Sequence, residues 1–146
     1  MQKIKTALLS YVMSGKVFHA PFVNFHSGLE LIGSWERSKK LIQQDFPEVK
    51  SYATIDELLE DTVDLVIVNT PVETHYEYAK QVLLAGKHAI VEKAFTTTVA
   101  QAQELAAIAK EKGVKLAVFQ NRRWDSDFKT VQKIISDGIL GEIVEA

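Results

Sequence analysis

The chain has 146 residues, with 17 Lys and Arg against 19 Asp and Glu, a net charge of −2. Apolar residues make up 47% and charged residues 25%, the proportions of a globular domain, and the length suits one domain able to bury a core. The near-neutral balance argues against nucleic-acid or membrane-surface binding, both of which need a basic face. The absence of cysteine removes disulfides, thiolate metal sites and cysteine nucleophiles, and points to a reducing cytoplasm.

Lys3 and Lys5 precede a short apolar run, Ala7 to Met13, that imitates a signal peptide. Ser10 interrupts the run and no small-x-small site follows it, so the segment reads as a first buried strand, Ile4 to Leu9. No apolar stretch approaches the ~18 residues of a membrane span. Further strand-like runs follow at Leu29–Gly33, Val63–Val68, His88–Val91 and Val114–Phe119. Their apolar character is nearly continuous rather than alternating, which predicts strands buried on both faces, as in a parallel sheet.

Helix signals lie between these runs. Thr54-Ile55-Asp56-Glu57 is a capping box, and Thr70-Pro71-Val72-Glu73 is another, with proline at the first helical position. The second predicts a helix to Leu84 that stops at Gly86. Thr98-Val99-Ala100-Gln101 opens an Ala-rich helix ending at Gly113 after Lys110 and Lys112, and a last helix covers Ser126 to Ser136 before Gly138. Strand–helix alternation with short connections predicts an α/β fold, a doubly wound parallel sheet with right-handed crossovers. Leu140 to Ala146 reads as a strand just beginning. The expected organisation is therefore one domain over residues 1–140, with residues 141–146 starting a further domain.

Ligands of doubly wound sheets bind outside the carboxyl ends of the strands. The first such end is Ser10-Tyr11-Val12-Met13-Ser14-Gly15. A dinucleotide fingerprint would place glycines at positions 10, 12 and 15, and only Gly15 is present; Val12 stands where the backbone should approach a pyrophosphate. The second strand leads to Glu36, 21 positions after Gly15, near the spacing of a carboxylate that binds adenine-side ribose hydroxyls. Glu36 favours NAD, since it would repel a 2′-phosphate, while Arg37 and Lys39 leave NADP open.

Val68-Asn69-Thr70-Pro71, then His75, then Ala85-Gly86-Lys87-His88 and Glu92-Lys93 together resemble the glucose–fructose oxidoreductase, inositol dehydrogenase and rhizopine-catabolism (Gfo/Idh/MocA) family, with its N-T-P, A-G-K-H and E-K-P runs. Met13 to Phe22 resembles the first loop and helix of one branch, and Phe119-Gln120-Asn121-Arg122-Arg123-Trp124-Asp125 the N-R-R segment after the sixth strand. The resemblance spans essentially the whole chain. It implies a Rossmann domain of an NAD- or NADP-dependent oxidoreductase acting on sugars, cyclitols or related polyols, with a C-terminal α+β substrate domain that this sequence lacks, and it leaves a homo-oligomer open.

Residue by residue, the resemblance implies that Lys93 sits beside the nicotinamide and binds or protonates the reacting oxygen, with Glu92 on the cofactor side. Thr70, Pro71 and His75 match positions around the diphosphate and nicotinamide ribose, and Asn121 and Arg122 border the nicotinamide and the substrate mouth. This chain departs from the pattern at Ser10 and Val12, which replace glycines, and at Ala94, which replaces proline. His19, His26 and His88 read as structural or surface residues, because no pair of them shares a short ligand spacing with an acid; no metal site is expected. Trp35 and Trp124 read as packing residues. The rival reading is a cofactor-binding module with no chemistry of its own. A phospho-receiver is disfavoured because the first strand ends Leu9-Ser10-Tyr11 without an acid.

Overall fold

A computed structural model describes residues 2–36 and 39–145. Six parallel strands, β1 (Ile4–Leu8), β2 (Leu29–Trp35), β3 (Lys50–Tyr52), β4 (Leu65–Val68), β5 (His88–Glu92) and β6 (Leu116–Phe119), form one sheet in the order β3-β2-β1-β4-β5-β6. The order reverses between β1 and β4, which leaves a crevice at their carboxyl ends.

The pleat divides each central strand between two cores. Ala7, Val66, Val68, Ala89 and Val91 face one side, beneath α3 (Ile55–Glu60), α4 (Val72–Leu84) and α5 (Val99–Lys112). Leu8, Leu31, Ile67 and Ile90 face the other, where α1 (Ala20–Phe25) and α2 (Ile42–Asp45) contribute Ala20, Val23 and Ile42. Two-sided burial is why the strands read as unbroken apolar runs. Each fully buried Val or Leu contributes on the order of 1.5–3 kcal/mol.

Thr54 caps α3 by accepting the Glu57 N–H at 3.1 Å, and Thr98 caps α5 by accepting the Gln101 N–H at 3.3 Å. Gly86, Gly113 and Gly138 all have left-handed φ values beyond the helices they end, and the last helix, α6 (Ser126–Ser136), has the predicted bounds.

Two expectations are corrected and one strand is added. Thr70 does not cap α4: the residue before the helix is Pro71, and the Thr70 hydroxyl instead accepts from Thr74 at 2.8 Å. β3 was not foreseen, because its three residues are too few to show a period; Gly33 of β2 makes room beside it, since a Cβ there would collide with the Tyr52 ring. Residues 142–145 form no strand.

Candidate functional site

The loop after β1 is closed from below. A Cβ on Gly15 would collide with the Ser10 carbonyl and come within 3.0 Å of the Asn69 side-chain nitrogen; no other residue type fits there without moving one of them. Gly15 opens a π-helical turn, Gly15–His19, that runs into α1. Asn69, at the end of β4, donates its side-chain nitrogen to the Ser10 carbonyl at 2.7 Å and to the Ser14 hydroxyl at 3.3 Å. Its Oδ1 is buried and has no partner among the described residues.

Tyr11 points inward. Its phenol donates to Asp45 at 2.9 Å and its ring meets Phe46 edge-on; burial, then the Asp45 hydrogen bond and charge, push the phenol up. Asp45 also pairs with Lys16 at 2.7 Å, and these two bonds, Lys16 first, hold its carboxyl below the usual range. The loop is thus anchored to α2 from both ends, while the Val12 and Met13 side chains are exposed.

Two cavities flank this loop. One, of about 290 Å³, is walled by Ser10, Tyr11 and Val12, by Trp35 and Glu36 after β2, and by Thr70 and Pro71 after β4. Both Glu36 oxygens accept backbone N–H groups, from Leu41 at 2.9 Å and Ile42 at 3.2 Å, so this carboxylate also fastens the start of α2. Arg37 lies outside the described residues. Lys39 is exposed and lines the same cavity.

The second cavity, of about 450 Å³, gathers Met13 and Ser14, Asn69 and Thr70, Glu92 and Lys93, and Asn121 and Arg122. Lys93 is exposed and makes no ion pair with any described residue. The Arg122 guanidinium is tied to Asp125 at 2.9 Å. The Lys93–Ala94 peptide is cis.

Of the residues named from the sequence, Gly15 and His75 line neither cavity. His75 is buried, with Nδ1 2.8 Å from the Ala94 carbonyl and Nε2 2.7 Å from the Thr70 carbonyl. His75 thereby straps the Thr70 turn to the segment after Lys93.

Sequence reasoning passed over the side-chain roles of Asn69 and His19. His19 is 3% exposed, and its Nε2 donates to Glu92 Oε1 at 2.8 Å. Their spacing of 73 positions carries no local signal. His26 and His88 are structural, each accepting one backbone N–H, from Gly28 and Lys115. Trp35 packs edge-on to Tyr78, but Trp124 is 67% exposed and does not pack as expected. Among the described residues no His, Asp or Glu cluster could hold a metal, and no helix is long and apolar enough to cross a membrane.

The strand order, the glycine-closed loop at the switch point and the paired cavities define a dinucleotide-binding Rossmann domain. The Gfo/Idh/MocA model, an oxidoreductase family with an NAD-binding Rossmann fold, matches residues 6–120. An uncharacterized oxidoreductase of Schizosaccharomyces pombe is 43% identical over 99% of this chain and 41% of its own length. The NADP-dependent scyllo-inositol 2-dehydrogenase of Bacillus subtilis is 38% identical over 96% of this chain and 39% of its own length. The crystal structure of GenD2 from gentamicin A biosynthesis, in complex with NAD, superposes with a TM-score of 0.87 at 29% identity, over 95% of this chain and 40% of that one. The chain belongs to the Gfo/Idh/MocA oxidoreductase family. It spans about two fifths of the length of the curated relatives it matches.

Proposed function

We propose that this chain is the cofactor-binding half of a cytoplasmic NAD(P)-dependent dehydrogenase whose substrates are sugars, cyclitols or related polyols. Residues 1–140 form the cofactor domain, and residues 141–146 lead into a second domain that completes the substrate pocket. The observation that carries the reading is Lys93: an exposed ammonium with no ion-pair partner among the described residues, facing the cavity beside the glycine-closed loop.

The residues fit a dinucleotide. Asn69 offers a buried oxygen beside the loop with no partner among the described residues, and Ser10 to Gly15 present a short backbone turn to a diphosphate. Glu36, on the 290 Å³ side, would accept adenine-side ribose hydroxyls with the lone pairs that Leu41 and Ile42 leave free, and Arg37 and Lys39 are the residues through which a 2′-phosphate could be tolerated. Thr70, Pro71, Asn121 and Arg122 would border the nicotinamide side, with His75 strapping the Thr70 turn in place. When bound, NAD supplies a hydride acceptor. Lys93 would hold the substrate oxygen, stabilise developing alkoxide charge and pass the proton.

The second reading, a cofactor-binding module without activity, draws support from the chain's share of its relatives' length. The test is NADH formation from a panel of polyols that includes scyllo-inositol, run on this chain and on the full-length gene product. Turnover by the full-length protein alone is expected. No turnover by either would overturn the dehydrogenase reading, and comparable turnover by the short chain would overturn the division into domains.

A further inference from the structure

The His19 imidazole and the Glu92 carboxylate form a pair that the dehydrogenase reading does not use. His19 ends the π-helical turn that follows the loop, and Glu92 ends β5, directly before Lys93. Their side chains are 3% and 13% exposed. The His19 ring lies against Phe119 at the end of β6, 4.6 Å between centroids, so it is packed on one face while its edge meets the carboxylate. A π-turn carries one more residue than an α-turn, and such bulges recur at functional sites because they re-aim the side chains that follow.

Glu92 is held at both oxygens. Oε1 accepts from His19 at 2.8 Å, and Oε2 accepts the backbone N–H of Lys93 at 3.2 Å. Burial lowers the His19 ring's affinity for a proton, partly offset by Glu92, and the neutral ring must carry its hydrogen on Nε2 to donate here. Glu92 and Lys93 open onto the same cavity. A carboxylate free to turn toward the neighbouring ammonium would pair with it and take the charge a substrate oxygen needs.

We propose that His19 is a positioning residue for Lys93: by holding Glu92 Oε1 it keeps the carboxylate off the ammonium and leaves Lys93 free for the substrate. The proposal rests on the dehydrogenase reading above. It predicts that the contribution of His19 to turnover disappears when Lys93 is absent.

The experiment is a double-mutant cycle in the full-length protein, using the polyol turned over best in the panel, with NADH binding followed by fluorescence quenching and folding by thermal melting. His19→Asn, whose amide is too short to reach Glu92, is expected to lower kcat tenfold or more while the Kd for NADH stays within twofold. His19→Gln, which can donate from the same place, should return kcat to within threefold of the parent. On a Lys93→Met background, His19→Asn should change the residual rate less than twofold. If His19→Asn melts below the assay temperature, His19→Leu, closer in volume to the imidazole, takes its place in the cycle. Equal losses on both backgrounds, a loss of kcat matched by weaker NADH binding, or no loss at all would each overturn the proposal. Full turnover by Lys93→Met alone would instead overturn the role given to Lys93, and is read without any change at His19.

Discussion

Asn69 reaches across the switch point of the sheet to Ser10: its side-chain nitrogen donates to the Ser10 carbonyl at 2.7 Å. The same side chain leaves Oδ1 buried beside the site with no partner among the described residues. One residue therefore braces the loop and offers an acceptor to whatever binds there. Asn69→Leu should cost about 1–3 kcal/mol in urea unfolding, the penalty of a polar group left unpaired. It should also weaken NADH binding measured by fluorescence. Unchanged affinity would confine Asn69 to bracing.

Lys93→Met in the full-length protein should reduce turnover by about 10²–10⁴-fold, the range expected when a proton-transferring group is lost. The dinucleotide Kd should stay within a few-fold, because Lys93 faces the second cavity and the loop is held by other residues. A loss under tenfold would count against its role.

Glu36 should set preference for NAD over NADP, since its carboxylate would repel a 2′-phosphate. Glu36→Ala should narrow the ratio of the two dissociation constants at least tenfold. It should also destabilise the chain by about 0.5–2 kcal/mol, as removing a helix-capping acceptor does, because Leu41 and Ile42 lose their partner. Tighter binding of NADP by the parent protein would move the specificity role to Arg37 and Lys39.

Val12 is 60% exposed on the 290 Å³ side of the loop. Val12→Gly should tighten dinucleotide binding by letting the diphosphate approach the backbone, as read by calorimetric titration. Unchanged affinity would mean that the loop already stands clear of the ligand.

Asp61 is held at about 2 by the Thr62 backbone N–H, then Lys50, with Tyr52 also donating. A depressed carboxyl stabilises the fold above its unfolded value and loses that contribution as pH falls through its folded one. Stability should therefore fall between about pH 4 and pH 2, and Asp61→Asn should flatten that part of the urea-unfolding profile. Asp45, Glu57 and Glu104, also depressed, will keep some slope.

What the sequence made legible was whatever recurs over several neighbouring residues. Val66, Ile67 and Val68 alternate between two cores, so the run looks apolar throughout, and the glycines after three helices mark turns that only a left-handed residue closes well. β3 was illegible because three residues carry no period. Thr70 was misread because the capping pattern fits the residue types, whereas Pro71 occupies the cap and Thr74 claims the hydroxyl. The final segment has strand composition, but composition does not supply a partner strand. At the site, Lys93 stands out through a run of neighbouring residues, while His19 meets Glu92 only because the fold brings the end of the π-helical turn beside the ends of β5 and β6.

The strand order also sets a timetable. β1 lies between β2 and β4, yet on the ribosome its first neighbour is complete at Trp35 and its second only at Val68. At roughly 5–20 residues per second, the open side of β1 waits roughly two to seven seconds for its partner, and the Ser10 carbonyl waits with it for Asn69. During that interval Leu8 and Leu9 belong to an unfinished edge, which a chaperone or a neighbouring nascent chain can reach. The residues that later shape the loop are thus made before β2 and secured only once β4 is complete.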